Sequence, residues 1–111
     1  MAAYIVARIQ ITKPEQYREY TLRTPAVVAK YGGRFIVRGA EVHSLEGPAE
    51  PRRIVILEFP TIERARAFWS SPEYSRLRKF REGAGEAQFI LVDGYPASEW
   101  ERVLAESRTL D

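Results

Sequence analysis

A single carboxylate lies at the end of the most apolar stretch of the chain. Residues 54 to 57 are Ile, Val, Ile and Leu, and Glu58 follows them directly. A carboxylate among apolar neighbours is costly unless it is paired, and desolvation raises its pKa towards neutrality. Such a group can act as a general base, so Glu58 is the candidate catalytic residue. A structural ion pair is the alternative interpretation, because such pairs also perturb titration.

Two arginines are candidate partners for Glu58. Arg34 and Arg38 are four residues apart in a short alternating segment, which predicts that both lie on one face of a strand near that carboxylate. A guanidinium group can pair bidentately with a carboxylate. Either arginine could therefore hold Glu58 ionised, or bind the anionic group of a ligand.

Four further residues are candidates for binding a ligand, and three of them are aromatic. Tyr74 and Arg81 are seven residues apart and share one face of a predicted helix, while Tyr20 and Trp69 lie on helices of their own. Aromatic residues at helical spacing are typical of a protein core. Tyrosine and tryptophan also carry a polar atom that needs a partner when buried, which leaves a binding role open.

Other kinds of site are not expected. His43 is the only histidine and the chain has no cysteine, so the usual three or four protein ligands of a metal site are not at hand. Gly32-Gly33 lacks the spacing of a phosphate-binding loop. The basic residues between Arg76 and Arg81 lie near a helix C-terminus, where cations are favoured anyway. We therefore expect neither a metal nor a cofactor.

Hydrophobic periodicity indicates the elements that position these residues. Period-two alternation predicts strands over residues 3–11, 34–39 and 87–92, and the continuous apolar run within residues 53–59 predicts a central strand. Between them lie two helical regions, the first ended by Gly32-Gly33 and the second capped by Thr61 and restarted at Ser71-Pro72. A capping box of Thr12 and Glu15 predicts the start of the first helix, and Thr24-Pro25 predicts a kink or a break within it. Ser98 and Glu101 predict a capping box for a short helix at the end of the chain.

The order β-α-β-β-α-β predicts an α+β domain of the ferredoxin-like type, with a four-stranded antiparallel sheet and both helices on one face. We assign residues 1–95 to this domain and residues 96–111 to a helical extension that docks on the domain or on its partner. The uncovered face of the sheet would expose Ile and Val side chains. An apolar patch of this kind indicates an interaction surface, so we expect a homodimer joined through the sheet face, with an enclosed chamber between the sheets.

Composition limits the partners. The 111 residues carry a net charge of only +2, and no basic run with interleaved aromatics suggests a nucleic-acid partner. No apolar run is long enough to span a membrane, and the N-terminus shows no signal-peptide pattern. The lack of cysteine fits a reducing compartment. We expect a cytoplasmic protein that binds neither nucleic acid nor membrane.

Several short motifs occur together in one order. They are Tyr31-Gly-Gly-Arg-Phe-Ile-Val-Arg-Gly39, Leu45-Glu-Gly47, Arg53 with Val55-Ile-Leu-Glu-Phe-Pro60, Ala67-Phe-Trp69 and Ser71-Pro-Glu-Tyr74. In these motifs the chain resembles the domain of unknown function 1330 family, over about residue 3 to Gly94. The resemblance implies a dimeric α/β barrel, a fold shared with cofactor-free quinone-forming monooxygenases, muconolactone isomerases and haem-degrading enzymes. It implies a fold and a dimer, and does not by itself imply a reaction.

Two hypotheses of different classes follow. The first is a small-molecule protein that binds or transforms an aromatic or acidic compound without a cofactor, with Glu58 as the base and Arg34 or Arg38 holding an anionic group. The second is a non-catalytic dimeric module whose polar interior residues serve assembly. A chamber of several hundred cubic ångströms with convergent polar groups supports the first hypothesis, and a filled interior supports the second.

Overall fold

The computed structural model describes residues 1–110 and contains four strands and four helices. The strands are β1 (Ala3–Ile11), β2 (Arg34–Arg38), β3 (Arg53–Phe59) and β4 (Gly85–Asp93). The helices are α1 (Pro14–Lys30), α2 (Ile62–Trp69), α3 (Pro72–Arg81) and α4 (Ala97–Arg108). None of the helices in residues 1–110 has the length and apolar character needed to cross a membrane.

The four strands form one antiparallel sheet in the order β2-β3-β1-β4. The alternation in β1 and β3 has the predicted effect: Ile5, Ile9, Leu57 and Phe59 face the helices and are buried. There they pack against α1, α2 and α3 in a single core. The predicted α+β, ferredoxin-like fold with helices on one face of the sheet is confirmed.

Helix α1 continues through Pro25, so of the predicted kink or break the break is wrong. A proline inside a helix leaves the carbonyl four residues earlier without its N–H donor, and here that carbonyl belongs to Thr21. The Arg38 side chain supplies the missing donor, with its Nη2 at 2.7 Å from the Thr21 oxygen. The Thr24 hydroxyl donates to the carbonyl of Tyr20 at 2.6 Å, inside the helix rather than at a cap. A contact distant in sequence therefore keeps the helix whole.

Two other helices begin differently from the prediction. Helix α1 begins at Pro14 after Lys13, without a side-chain cap, and the Thr12 N–H, which a capping box would pair with Glu15, donates to the carbonyl of Ala84 together with the Lys13 N–H. Helix α4 follows Pro96, also without a side-chain cap, so the predicted capping boxes at Thr12 and Ser98 are wrong.

The two remaining caps are confirmed. The Thr61 hydroxyl accepts from the Arg64 N–H at 3.2 Å, and the Ser71 hydroxyl accepts from the Tyr74 N–H at 3.1 Å. They begin α2 and α3 where the sequence predicts, which fixes the faces that these helices turn to the sheet.

A β-bulge in strand β2 alters which of its side chains lie together. Arg34 pairs with Glu58 and Phe35 with Leu57, but the next paired residue is Val37, opposite Ile56. Ile36 is the additional residue, and one additional residue reverses the alternation beyond it. Arg34 therefore lies on the open face of the sheet and Arg38 on the helix side. The prediction that the two arginines share a face is wrong.

The open face of the sheet carries an apolar patch across three strands. Val6 lies between Ile56 of β3 and Ile90 of β4, and Tyr4 lies next to Val92. Ile90 and Val92 are each about half exposed, at 52% and 47%. The helices leave this patch uncovered, as the sequence predicts.

Candidate functional site

The sheet divides the seven predicted site residues into two groups. Glu58 and Arg34 lie on the open face. The other five lie on the helix side, where they contact α1, α3 or one another. They are Tyr20, Arg38, Trp69, Tyr74 and Arg81. A molecule held between the helices and the sheet would therefore have no contact with Glu58.

On the open face, Glu58 takes part in an ion pair. The Arg34 Nε donates to its Oε1 at 3.0 Å, and the Tyr4 hydroxyl donates to its Oε2 at 3.3 Å. The Arg34 side chain is 72% exposed and that of Glu58 is 28% exposed. The pairing with Arg34 is one of the two that the sequence suggests, but within a single subunit water reaches both groups. This geometry favours the structural interpretation of Glu58.

The substitution Glu58→Gln is expected to lower the free energy of unfolding by about 1 kcal/mol or less, because water weakens an exposed ion pair. Glu19→Gln is a matched control, since Glu19 pairs with Arg23 on the outer surface of α1. Urea denaturation of both variants measures the effect. A loss of about 3 kcal/mol or more for Glu58→Gln alone would show that the carboxylate is buried in the working assembly.

On the helix side, the predicted aromatic residues form one cluster with two arginines. The hydroxyls of Tyr20 and Tyr74 are 2.7 Å apart, and the rings of Trp69 and Tyr74 have centroids 5.2 Å apart. The Arg81 guanidinium lies 5.2 Å from the Tyr20 ring centroid and 4.8 Å from that of Phe89. Arg78 lies 3.9 Å from the Trp69 ring centroid. The chain thus places cationic groups against π faces at the edge of its core.

A cavity of about 30 Å³ lies between α1 and the sheet, beside this cluster. Apolar side chains form most of its wall, and the polar groups are Tyr17, Tyr20, Arg38, Arg53 and two threonines. No carboxylate is among these lining residues in the described part of the chain. The volume is that of one water molecule or one carboxylate group. The cavity is therefore small, with hydroxyl and guanidinium groups as its polar lining.

Two of these polar residues, Tyr17 and Arg53, are not among the site residues predicted from the sequence. The Tyr17 side chain is buried, and its hydroxyl has no hydrogen-bond partner within residues 1–110; the same is true of the Arg53 Nε. Burial raises the pKa of Tyr17, while the charges of Arg81 and Arg53 oppose that rise. The phenol thus remains a hydrogen-bond donor at neutral pH. The sequence feature that could have identified Arg53 is its position two residues before Val55 and four before Leu57 in β3, which places all three on the buried face of the strand.

Arg53 is positioned by Gly39, just after strand β2. Gly39 has a φ of +73°, and a Cβ there would lie 2.3 Å from the Arg53 Nη1. Only glycine combines this backbone conformation with such a close approach. Gly39 also donates its N–H to the Ile54 carbonyl at 2.9 Å. The Arg53 side chain consequently runs along the backbone towards the cavity instead of into solvent.

The exposed end of the cavity is formed by Thr21, Phe35 and Arg38. The Arg38 guanidinium lies 4.4 Å from the Phe35 ring centroid while it donates to the Thr21 carbonyl. The Arg38 side chain is exposed, and its guanidinium has further N–H groups besides the Nη2 that donates to Thr21. Arg38 is therefore suited to contact a molecule that enters from this side.

A second and larger space lies at the opposite edge of the sheet. This groove, of about 450 Å³, runs between α2 and β4, and most of its wall is apolar: Ile5, Ala65, Trp69, Phe89, Ile90 and Leu91. Its polar lining residues are Arg66 and Ser70. Phe89 and Ile5 line both spaces, so they form the wall between the cavity and the groove.

Comparison with solved structures supports the fold. A protein of unknown function from Rhodopseudomonas palustris has a TM-score of 0.69 at 18% identity, over 86% of this chain and 83% of its own. SnoaB, a cofactor-independent oxygenase from Streptomyces nogalater, has a TM-score of 0.63 at 14% identity, over 86% and 95%. At these identities the likeness shows a common fold. A comparison with curated protein sequences finds no match.

The sequence also matches a known family profile over residues 2–95. That span includes all four strands and helices α1 to α3, and it ends before α4. It covers most of the chain, in agreement with the motifs from Tyr31 to Tyr74. This chain belongs to the DUF1330 family, a family defined by a domain of unknown function.

Proposed function

We propose that this protein binds a small organic acid without a cofactor, with the anionic group of the acid in the cavity between α1 and the sheet. The observation that carries the proposal is the pair of buried donors, the Tyr17 hydroxyl and the Arg53 Nε, which have no partner within residues 1–110. Buried donors without partners are costly, and an anion that accepts from both would remove that cost.

The charges around the cavity favour an anion over a neutral group. Arg53 and Arg38 line the cavity, and Arg81 lies against Tyr20. Burial also raises the pKa of Tyr20 far above its ordinary value, so this tyrosine too stays protonated. Because no carboxylate lines the cavity in residues 1–110, a bound acid would not meet a like charge there. Hydrogen bonds to charged donors are the stronger ones.

The dimensions of the cavity limit how a ligand would sit. A space of about 30 Å³ takes the carboxylate group and little more. The body of the ligand would lie at the exposed end, against the Phe35 ring and beside Arg38. The Arg38 Nη2 would keep its hydrogen bond to the Thr21 carbonyl, and the other N–H groups of the same guanidinium would pair with the ligand. A flat aromatic body suits such stacking contacts.

The proposal needs no metal or cofactor, and SnoaB, described as a cofactor-independent oxygenase, has the same fold. We further propose that the protein works as a homodimer joined through the open face of the sheet. The support is the patch around Val6, Ile56 and Ile90, which no helix covers within residues 1–110. Glu58 and Arg34 then belong to this interface, and Glu58 is a partner of Arg34 and Tyr4 rather than a base for the ligand.

Benzoate is the probe for this site, and benzamide is its neutral analogue. We expect the melting temperature to rise with benzoate concentration. At a benzoate concentration of about ten times Kd, the folded protein should be stabilised by about 1.4 kcal/mol. Benzamide is expected to have no effect at the same concentrations. Arg53→Met keeps most of the apolar stem and removes the charge, so it should abolish the benzoate shift. Arg64→Met, on the exposed surface of α2, should leave it unchanged.

The nearly filled interior supports a rival, the non-catalytic dimeric module. If this rival is correct, benzoate, 2-hydroxybenzoate and phenylacetate will all leave the melting temperature unchanged at millimolar concentration. A shift that survives in the Arg53→Met variant would place the acid elsewhere on the protein, and the proposed cavity would then be wrong.

A further inference from the structure

Helix α4 projects from the rest of the molecule. The molecule measures 54 × 33 × 16 Å, and α4, whose 12 residues span about 18 Å, makes no extensive contact with any other helix or strand. The Cα radius of gyration is 16.8 Å, against about 13 Å for a compact domain of this length. No residue of Ala97–Arg108 is buried. Within one subunit, α4 thus buries none of its side chains fully.

One face of α4 is nevertheless apolar. Trp100, Val103 and Leu104 lie together on it, and Trp100 is 55% exposed. Arg102 lies on the opposite face and pairs with Glu99 and Glu106. An isolated helix of this length is marginal in water, and its stability in proteins comes from packing its apolar face. These properties indicate that the apolar face of α4 is buried in the working assembly.

The groove between α2 and β4 has the complementary character. Its wall is mostly apolar, its volume of about 450 Å³ is in the range of ligand pockets, and its polar residues are Arg66 and Ser70. On α4, Glu101 lies next to Trp100 at the margin of the apolar face. Neither Glu101 nor Arg66 has an ion-pair partner in the described part of the chain. The two can therefore pair when Trp100 enters the groove.

A helix that points away from its own body leaves its own groove open. We infer that α4 of a second copy occupies this groove, with Trp100 of one subunit against Trp69 and Phe89 of the other. The exchange is reciprocal, so it closes a two-fold dimer without exposing a new surface. Ile90 lines the groove and also belongs to the patch on the open sheet face. The exchanged helix therefore extends the proposed sheet-face interface, and it involves no part of the acid-binding cavity except the common wall.

Crosslinking between differently labelled chains tests this inference, because the chain has no cysteine of its own. Full-length Glu101→Cys and Arg66→Cys chains are co-expressed and treated with a short bismaleimide, since a direct disulfide needs Cα atoms within about 7 Å. We expect a covalent heterodimer to form about tenfold or more faster than with Arg102→Cys in place of Glu101→Cys, because docking raises the effective concentration. Arg102 lies on the face of α4 opposite Trp100 and is the control.

A second substitution tests whether the crosslink depends on the apolar face of α4 or only on the rest of the interface. Trp100→Ser in the Glu101→Cys chain is expected to slow the crosslink to the control rate, whereas Leu22→Ser is not. Leu22 is 62% exposed on α1. If Glu101→Cys crosslinks no faster than Arg102→Cys in a protein that light scattering shows to be a dimer, the exchanged helix is wrong and the sheet-face dimer stands. If the protein is a monomer, both are wrong.

Discussion

The substitution Phe68→Ala is expected to lower the free energy of unfolding by about 3–5 kcal/mol. Phe68 lies on α2 and is almost completely buried. Its ring centroid is 4.5 Å from that of Tyr74, 5.2 Å from that of Phe59 and 6.3 Å from that of Tyr31. It thus joins α1, β3, α2 and α3 in one aromatic core. Removal of the ring would leave a cavity that these rigid neighbours cannot close.

Phe80→Ala is the matched control for this prediction. Phe80 lies on α3 and is 39% exposed, with the Arg23 guanidinium over its ring. Its removal should cost about 1 kcal/mol or less, the usual scale of an exposed cation–π contact. Urea denaturation at one protein concentration gives both values. Equal losses for the two variants would contradict the assignment of Phe68 to the centre of the core.

Much of the fold could be predicted from local sequence. Strands β1 and β3 are rich in apolar residues, and their burial alternates from Ala3 to Ile9 and from Val55 to Phe59 as strand geometry requires. The caps at Thr61 and Ser71 are local as well, because each hydroxyl bonds to an N–H three residues later. Such features depend on residues a few positions apart, and the physical chemistry of a short segment decides them.

The incorrect predictions share a different cause. Pro25 has no N–H to donate to the Thr21 carbonyl, and the side chain of Arg38, 17 residues after Thr21, donates to it instead. The N–H groups of Thr12 and Lys13 donate to the carbonyl of Ala84, which is distant in the sequence. Each of these outcomes depends on a tertiary contact that overrides the local preference of the helix. Pattern analysis within a window cannot detect such compensation.

The candidate site was predicted in part, for a similar reason. The spacing of Tyr74 and Arg81 predicts that they share one helix face, and in the structure both contact Tyr20 on α1. The bulge at Ile36 is invisible in the sequence, because Arg34 and Arg38 keep the spacing of a regular strand. It separates the two arginines by the thickness of the sheet. One additional residue therefore divides a single predicted site into an ion pair on the open face and a donor at the cavity.

The substitution Ile56→Glu is expected to dissociate the proposed dimer. Ile56 lies opposite Val6 on the open face, and Val6 lies opposite Ile90, so the three form a continuous apolar row. In a dimer joined through this face, the two-fold symmetry would place the new carboxylate in the interface twice. A buried, unpaired charge costs several kcal/mol. We therefore expect the dissociation constant to rise by about 100-fold or more.

Leu22→Glu is the control, because it introduces the same charge at an exposed position on α1, in the layer opposite the open face. Light scattering at micromolar concentration should give twice the 12.8 kDa chain mass for the unmodified protein and for Leu22→Glu. Ile56→Glu should give the mass of a single chain with an unchanged far-ultraviolet circular dichroism spectrum. Should this variant unfold, Ile90→Lys, on the edge strand, introduces a charge with less strain on the sheet. A folded variant that stays dimeric, or an unmodified protein that is monomeric, would show that this face does not join the subunits.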